Sequence, residues 1–581
     1  MQRSRYRTLG QIGQGQFGKV FCGIDRENGQ VFALKDLDIK QFPTRKFLRE
    51  LSYLVSLKHP NIISFHGIEH HQGGRYLVMD YCEGGTLREL MESGQKITLQ
   101  LILKLVQDIL SALVHAHRKK IIHCDIKPEN ILLKITSTGY IAKLSDFGIA
   151  RWSEEQLQPY HSGGYTGSPA YMAPERFYGK YSAASDLYAV GILLYELLVG
   201  SRPFSGFPKD LMAAHLSQSF NLSDTIPLSL QTIIEKALRK LPQRRFTNSQ
   251  EMLEAVRLAE QELLGNSSDN IFFIPSSSSS LNNFSQIIKK VYLSRKITNL
   301  SVVQNWIYWV EKNVLMVQFY YDKTDLEFFH DYKITFEDEI IKLEFSSNTV
   351  YIFTFSEESN LYTLYHFFVE QEQLKKLLTW SANQLISSID IKGKWIAIAL
   401  NYQEINIYSL QDFKFIKSTI TEGKIQQIIT LDQSHCLVIH QSTSEHTLFQ
   451  IFNRRGNLFK AFSITLAIEL VTLSKVADYE IFAIETNKPF LGLLIKLKPL
   501  KITRIPLPFK PSFVLAQSWG YILASSLGEI IVLNAQGIIQ GEINLSATIT
   551  AITTLNDEKI LVATESNNQS CLQQLSLKKD F

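Results

Sequence analysis

Cysteine is scarce in these 581 residues. Cys22, Cys82, Cys124, Cys436 and Cys571 lie far apart, with no close pair and no metal-ligand spacing. That excludes a disulfide framework and a thiolate metal site, and it favours reduced thiols in a cytosolic compartment. An excess of one charge is missing too: 60 basic against 56 acidic residues leave a formal +4. So even a balance argues against a nucleic-acid or membrane-surface partner. The strongest apolar run, DLYAVGILLYELLVG (186–200), contains Glu196 and is short for a membrane span, so it reads as a buried helix. The opening MQRSRYRTLG has no apolar stretch of the kind a secretory leader needs. Together these absences predict a soluble, cytoplasmic protein without a membrane span. What is present, 45% hydrophobic and 20% charged residues, is ordinary for globular chains, and the length allows several domains.

The composition changes near residue 265. Before it, strand-like stretches give way to apolar helices such as TLQLILKLVQDILSALVHAH (98–117), where Leu99, Ile102, Leu105, Ile109 and Leu113 recur every three or four residues. A polar, serine-rich connector follows over 263–286. From 287 to 581 the chain turns β-rich, and its strands repeat. An apolar residue, two others, an apolar residue and then a second apolar run begin at Ile297, Ile340, Ile386, Ile425, Ile468, Pro511 and Ile549, with gaps of 43, 46, 39, 43, 43 and 38 residues. A period of about 40–45 residues has room for four strands, as a propeller blade needs, and seven units suit a closed ring. The last unit is short, so QIIKKVYLS (286–294) is expected to supply its outer strand. A β-sandwich with evenly spaced turns is the plainer alternative. The region resembles WD-repeat-like propellers in period and strand pattern, though it lacks their Gly-His and Trp-Asp signatures.

The first half carries the chemistry. IGQGQFGKV (12–20) sets Gly13, Gly15 and Gly18 in a row, and the following VFCGID, ENGQ and VFALKDL read as strand, turn and strand. Glycines on such a hairpin let backbone N–H groups approach phosphates closely. Val20 and Ala33 then face a flat base, and Lys35 reaches the phosphates. Glu50, on the expected helix 44–60, can pair with Lys35, although a lone acid there also reads as a solvated surface group. YLVMDYCEGGTL (76–87) reads as a strand running into a connector, where the backbone of Asp80 and Cys82 meets an adenine edge and Met79 lines the pocket. Met79 and Cys82 read equally well as core residues when taken alone. In IIHCDIKPEN (121–130), Asp125 can orient an attacking hydroxyl and accept its proton, Lys127 can neutralise the moving phosphoryl group, and Asn130 can ligate magnesium. Asp146, 21 residues after Asp125, supplies the main metal carboxylate.

Glycine loop, Ala-x-Lys, helix glutamate, His-x-Asp with Lys and Asn, Asp-Phe-Gly (146–148) and Ala-Pro-Glu (173–175) occur in order. The chain therefore resembles a eukaryotic-type protein kinase over about residues 6–262. Lys127 and GSPAYMAPE (167–175) are similar to the serine/threonine branch, and the layout resembles bacterial eukaryotic-like serine/threonine kinases that carry a C-terminal repeat module. The resemblance implies a multidomain chain. An α+β bilobal kinase fold covers 1–262, with a small β-rich lobe over 1–82 and a large helical lobe over 83–262, and an all-β propeller of seven blades follows. It implies an ATP-dependent protein kinase that uses magnesium or manganese. Ile12, Gly13, Gln14, Gly15, Gln16, Phe17, Gly18, Lys19, Val20, Ala33, Lys35, Met79, Asp80 and Cys82 would hold the nucleotide. Lys35, Glu50, Asp125 and Lys127 would be catalytic, and Asn130 and Asp146 would hold the metal. By the same likeness His123 and Phe147 pack behind the site, Ser168 bonds the Asp125–Lys127 pair, Glu175 pairs with Arg245, and Asp186 braces the catalytic loop.

One position departs from the family. Cys124 stands where an arginine commonly holds an activation-segment phosphate, and a thiol cannot make those bonds. The expectation is basal activity without phosphorylation of Ser162, Tyr165 or Thr166, with Arg151 nearby in sequence as a lone basic partner. Glu129 is either a reader of basic residues upstream of the target hydroxyl or an exposed acid. Beside an enzyme that phosphorylates protein serine or threonine in signalling, with a propeller that recruits or senses an unidentified protein or small ligand, two other readings stand. One is a pseudokinase scaffold, and the other treats the propeller as an oligomerisation unit.

Overall fold

In the computed structural model, described residues are 4–15, 18–36, 51–53, 55–71, 74–95, 97–147, 151–152, 168–223, 225–265, 285–293, 296–303, 306–319, 332–346, 349–368, 371, 373–381, 386–392, 395–410, 414–421, 423–443, 446–566 and 569–577. They fall into two compact units, an N-terminal one of Met1–Ser278 with Lys498–Ile502 and a C-terminal one of Ser279–Leu497 with Thr503–Phe581.

The N-terminal unit begins with a twisted antiparallel sheet of β1 (Tyr6–Gly15), β2 (Gly18–Asp25), β3 (Val31–Asp36), β4 (Phe65–His71) and β5 (Gly74–Asp80), in the order β1-β2-β3-β5-β4. One face buries Phe32, Leu34 and Val78, with Tyr6, Phe21 and Tyr76 packed on them. Of the expected helix 44–60, residues 51–53 and 55–56 are helical, and 44–50 and 54 lie outside the described residues. Helices follow: α1 (Leu87–Glu92), α2 (Leu99–Arg118), α3 (Ala183–Val199), α4 (Pro208–Ser217), α5 (Leu228–Ala237) and α6 (Ser249–Gly265). Short strands β6 (Ile121–Ile122), β7 (Ile131–Thr136), β8 (Gly139–Leu144) and β9 (Arg151–Trp152) frame the loops between α2 and α3.

The side chain of Thr98 caps α2, accepting from the Leu101 N–H at 3.2 Å, which satisfies one of the donors a helix start leaves open. The predicted stripe of Leu99, Ile102, Leu105, Ile109 and Leu113 is buried, and α2 packs on α3 and α6. By length and composition alone α2 is apolar enough to cross a membrane, and in this fold it is a core helix. The run 186–200 is α3, buried on nearly every face and stopped by Gly200 at φ 80°.

Among the described residues, the C-terminal unit is all strands, in seven four-stranded antiparallel sheets. Their first strands are Asn299–Val303, Glu339–Ser346, Ile386–Lys392, Lys424–Thr430, Ile468–Leu473, Phe513–Gln517 and Thr548–Thr554, each starting within two residues of a repeat anchor. Ser285–Leu293 pairs with Gln569–Leu577 and so becomes the outer strand of the last sheet, as the short final unit required. Each first strand lies against the first strand of the next sheet, and the seventh lies against the first. The cores are shared in the same way. Ile340, Leu343 and Ile352 of the second sheet pack with Tyr308 and Leu315 of the first, and Ala551 and Leu561 of the seventh pack with Ile297 and Trp309 of the first.

Candidate active site

The hairpin β1–β2 turns at the glycine stretch, pairing Gly13 with Val20 and Gly15 with Gly18. Gly18 sits at φ 135°, and a Cβ there would lie 2.3 Å from the Asp36 carbonyl oxygen, so only glycine is accommodated. Gln16 and Phe17 lie outside the described residues. Neighbouring register sets Val20 beside Lys35 and Ala33 beside Met79. A cavity of about 510 Å³ is lined by Ile12, Gly13, Gln14, Gly18, Val20, Ala33, Lys35, Met79, Asp80, Cys82, Asn130 and Asp146. Most of the predicted nucleotide residues therefore share one cleft. Lys19 faces solvent on β2 and does not line the cavity.

Asp80 donates its backbone N–H to the Ser64 carbonyl at 3.0 Å, which leaves its carbonyl as the backbone group it can offer a base edge. Its side chain is committed as well. Burial alone would raise this carboxyl, but the His66 ring N–H at 2.7 Å, the Lys143 ammonium at 3.0 Å and the Ser64 N–H bring it down to about 2. Nothing in the sequence marked those partners, because His66 and Lys143 come from separate strands.

The loop after β6 is held from below. Asp186, at the start of α3, accepts the backbone N–H of His123 at 2.8 Å and of Cys124 at 2.9 Å, and the His117 ring at 2.9 Å. Burial works against its charge, yet the His117 bond and the neighbouring rings hold its carboxyl below the usual range. Those bonds fix Cys124 at φ 68°, a left-handed conformation that costs a non-glycine residue energy and persists only where its surroundings impose it. His123 donates from Nε2 to the Ser145 carbonyl at 2.9 Å, so its Nδ1 accepts the Asp125 N–H at 3.2 Å. Its ring meets that of Phe147 edge to face, with centroids 4.6 Å apart.

Asp125 is thereby held beside Asn130, which lines the cleft. One carboxylate oxygen receives the Ser168 backbone N–H at 3.2 Å, and the other receives Asn130 Nδ2 and Lys127 Nζ, each at 2.9 Å. Ser168 thus contacts the pair through its backbone. Lys35 is buried, with Nζ 3.7 Å from Asp146 Oδ1. Glu50, its predicted partner, lies outside the described residues. Asp146 is itself held at φ 62°, and its Oδ1 is buried with no hydrogen-bond donor among the described residues. Asn130 spends its NH₂ on the Asp125 carbonyl and carboxylate, and no bond reaches its Oδ1 among the described residues. A buried anionic oxygen without a donor beside a carboxamide oxygen is a donor set that suits magnesium or manganese, hard ions that take few protein ligands and keep waters.

Two arginines make contacts that were not foreseen. Arg176, buried after the Ala-Pro-Glu motif, donates from Nη1 to the Cys124 carbonyl and lies over the Tyr181 ring. Arg88 of α1 bonds Glu129, Glu196 and Tyr171. The predicted Glu175–Arg245 pair is present and bidentate, at 2.7 and 2.8 Å, and the remaining Arg245 donors go to the carbonyls of Arg239, Ala184 and Lys240. Ser162, Tyr165 and Thr166 and the side chain of Arg151 are outside the described residues.

Residues 6–256 match the protein kinase domain family. The chain is 33% identical over 264 residues to the probable serine/threonine-protein kinase PknB of Lactococcus lactis subsp. lactis, covering 43% of this chain and 41% of that protein. It is 34% identical over 266 residues to the serine/threonine-protein kinase PrkC of Bacillus subtilis, covering 44% and 40%. It is also 33% identical over 245 residues to Aurora kinase C of Mus musculus, covering 41% of this chain and 86% of that protein. The chain thus spans less than half the length of the two bacterial relatives.

Proposed function

We infer, because this chain belongs to the protein kinase family, that it is a serine/threonine protein kinase moving the γ-phosphoryl group of ATP onto hydroxyls of other proteins. One observation carries the reading: Lys35, Asn130 and Asp146 line a single cleft behind the glycine hairpin, and Asp125, with Lys127 on its carboxylate, is bonded to the Asn130 carboxamide at its edge. Asp125 is in position to orient the attacking hydroxyl and take its proton, with Lys127 beside it to offset charge on the moving group. Lys35 steadies the nucleotide phosphates. Asp146 Oδ1 and the Asn130 carboxamide would hold the divalent ion, which supplies charge neutralisation across the phosphates. Backbone along β1 and β2 covers the phosphates, and Ala33, Met79 and the Cys82 backbone receive the base.

The test is transfer from labelled Mg-ATP to a generic protein substrate, followed by separation of the phosphoamino acids. Label is expected in phosphoserine and phosphothreonine and not in phosphotyrosine, and Asp146→Asn is expected to remove it. Label confined to phosphotyrosine overturns the serine/threonine assignment.

Cys124 favours a second element of the reading, that basal activity needs no activation-segment phosphate. The arginine that would hold one is absent, and the Cys124 carbonyl is already tied to Arg176. Replacing Ser162, Tyr165 and Thr166 together should leave basal transfer intact. Loss of transfer with the fold preserved defeats the idea.

The C-terminal unit is proposed to be a seven-bladed propeller that recruits or senses a partner. Seven four-stranded sheets with first strands in cyclic contact support it, as does a cavity of about 980 Å³ along those strands, lined by Lys342, Glu344, Asp390 and Tyr479. Five free, buried cysteines agree with a reducing, cytoplasmic setting.

A further inference from the structure

Glu129 lies between Lys127 and Asn130 and lines the cleft, with its side chain 46% exposed. Read alone, it is an acid placed to receive a basic residue of a bound substrate. The structure adds a second carboxylate. Glu196 of α3 is buried, and its Oε2 accepts the Tyr171 hydroxyl at 2.5 Å. Tyr171 stands three residues after Ser168, which bonds Asp125. Two acids and a phenol therefore gather beside the segment that holds the proposed catalytic carboxylate. A carboxylate as buried as Glu196 is costly without a cation.

The cation comes from the chain itself. Arg88 gives Nε to Glu129 at 2.9 Å, Nη1 to Glu196 at 3.0 Å and Nη2 to the Tyr171 hydroxyl at 2.5 Å. All three guanidinium nitrogens are used, and the short helix that carries Arg88 is pinned by a capping box between Thr86 and Glu89. A structural tie for Glu196 would need only Glu196 and Tyr171. The third bond reaches out to Glu129 at the cleft edge, where substrate arrives.

We propose that Arg88 is a specificity-determining residue: its guanidinium fills, from within, the acidic slot in which an arginine or lysine of the substrate would otherwise sit. The kinase consequently does not select basic residues through Glu129, and removing Arg88 creates that selectivity. This rests on the protein-kinase reading above.

The experiment measures kcat/KM of the intact chain on serine peptides carrying arginine, alanine or glutamate at each of the four positions before the serine. The natural chain is expected to treat arginine and alanine within about twofold at every position. Arg88→Ala is expected to prefer arginine at least tenfold at one of them, through KM rather than kcat, and Arg88→Ala with Glu196→Gln is expected to lose that gain. A tenfold arginine preference in the natural chain overturns the proposal, and so does a folded, active Arg88→Ala with no gain. Should Arg88→Ala fail to fold, Glu129→Gln in the otherwise natural chain decides. It leaves the arginine-to-alanine ratio unchanged under this account and lowers it if Glu129 reads substrate. If the natural chain labels no peptide or protein while binding ATP, the kinase reading fails first and takes this proposal with it.

Discussion

Arg176 and His215 show how single side chains set the site without touching a substrate. Arg176 donates to the Cys124 carbonyl, and it comes from the segment after Ala-Pro-Glu, so it ties that segment to the loop presenting Asp125. Replacing it with alanine should lower kcat about tenfold or more while KM for ATP changes little, since misplacement of a catalytic group is felt in the chemical step. Lysine should rescue poorly, lacking the planar fork. Steady-state kinetics on the folded variants check this. His215 is fully buried, between Phe204 and the Tyr188 hydroxyl. Burial first, and the nearby Lys240 ammonium second, push its ring down to about 4 from 6.5. A histidine that stays neutral in the fold while the unfolded chain takes up a proton destabilises the fold as pH falls through 6.5 toward 4. The contribution is fully present above 6.5. The N-terminal unit should therefore lose on the order of 2–3 kcal/mol over that window. In thermal melts across it, His215→Gln should show a shallower fall, and an equal slope would exclude the ring as the cause.

At the scale of elements, the repeat of the C-terminal unit has a physical origin that its sequence disguised. Apolar residues three apart suggest a helix, because period-two strands put positions i and i+3 on opposite faces. The strands nevertheless bury both. Register shifts follow Ile340, Ile386, Ile425 and Ile549, each adding one residue to the strand, and a bulge of that kind returns i+3 to the face of i. Ile425 and Ile428 thus enter one core, as do Ile549 and Ile552. Deleting Gln426, the bulged residue, should turn Ile425 out of that core and cost about 3 kcal/mol or more, read as a lower denaturation midpoint of this unit. An unchanged midpoint would mean the bulge is dispensable. What the sequence disclosed at this scale was the period, because each sheet must repeat its apolar anchor. The bulges were hidden, because no residue type marks them. The kinase motifs were legible for the opposite reason: Asp125, Lys127, Asn130 and Asp146 are fixed by chemistry in identity and order. Arg88, Arg176 and the commitment of the Asp80 N–H were not legible. Each depends on partners tens of residues away, which only the fold brings together.

For the molecule as a whole, each unit has a hydrophobic core of its own, around α2 and α3 in one and between successive sheets in the other. Calorimetry should resolve a transition for each, as multidomain chains commonly show. Saturating Mg-ATP should raise only that of the N-terminal unit, by the mass action of a ligand that binds the folded state. A shift of the other transition would place a nucleotide on the wrong unit. The central claim, that this cleft transfers phosphate, is tested most directly by one comparison. The intact chain and intact Asp125→Ala are given labelled Mg-ATP and a generic protein substrate, with ATP binding measured alongside. Transfer by the natural chain that disappears in Asp125→Ala, with ATP binding retained in both, is the result expected. ATP binding by a folded natural chain with no transfer would contradict the claim and make both units binding modules only.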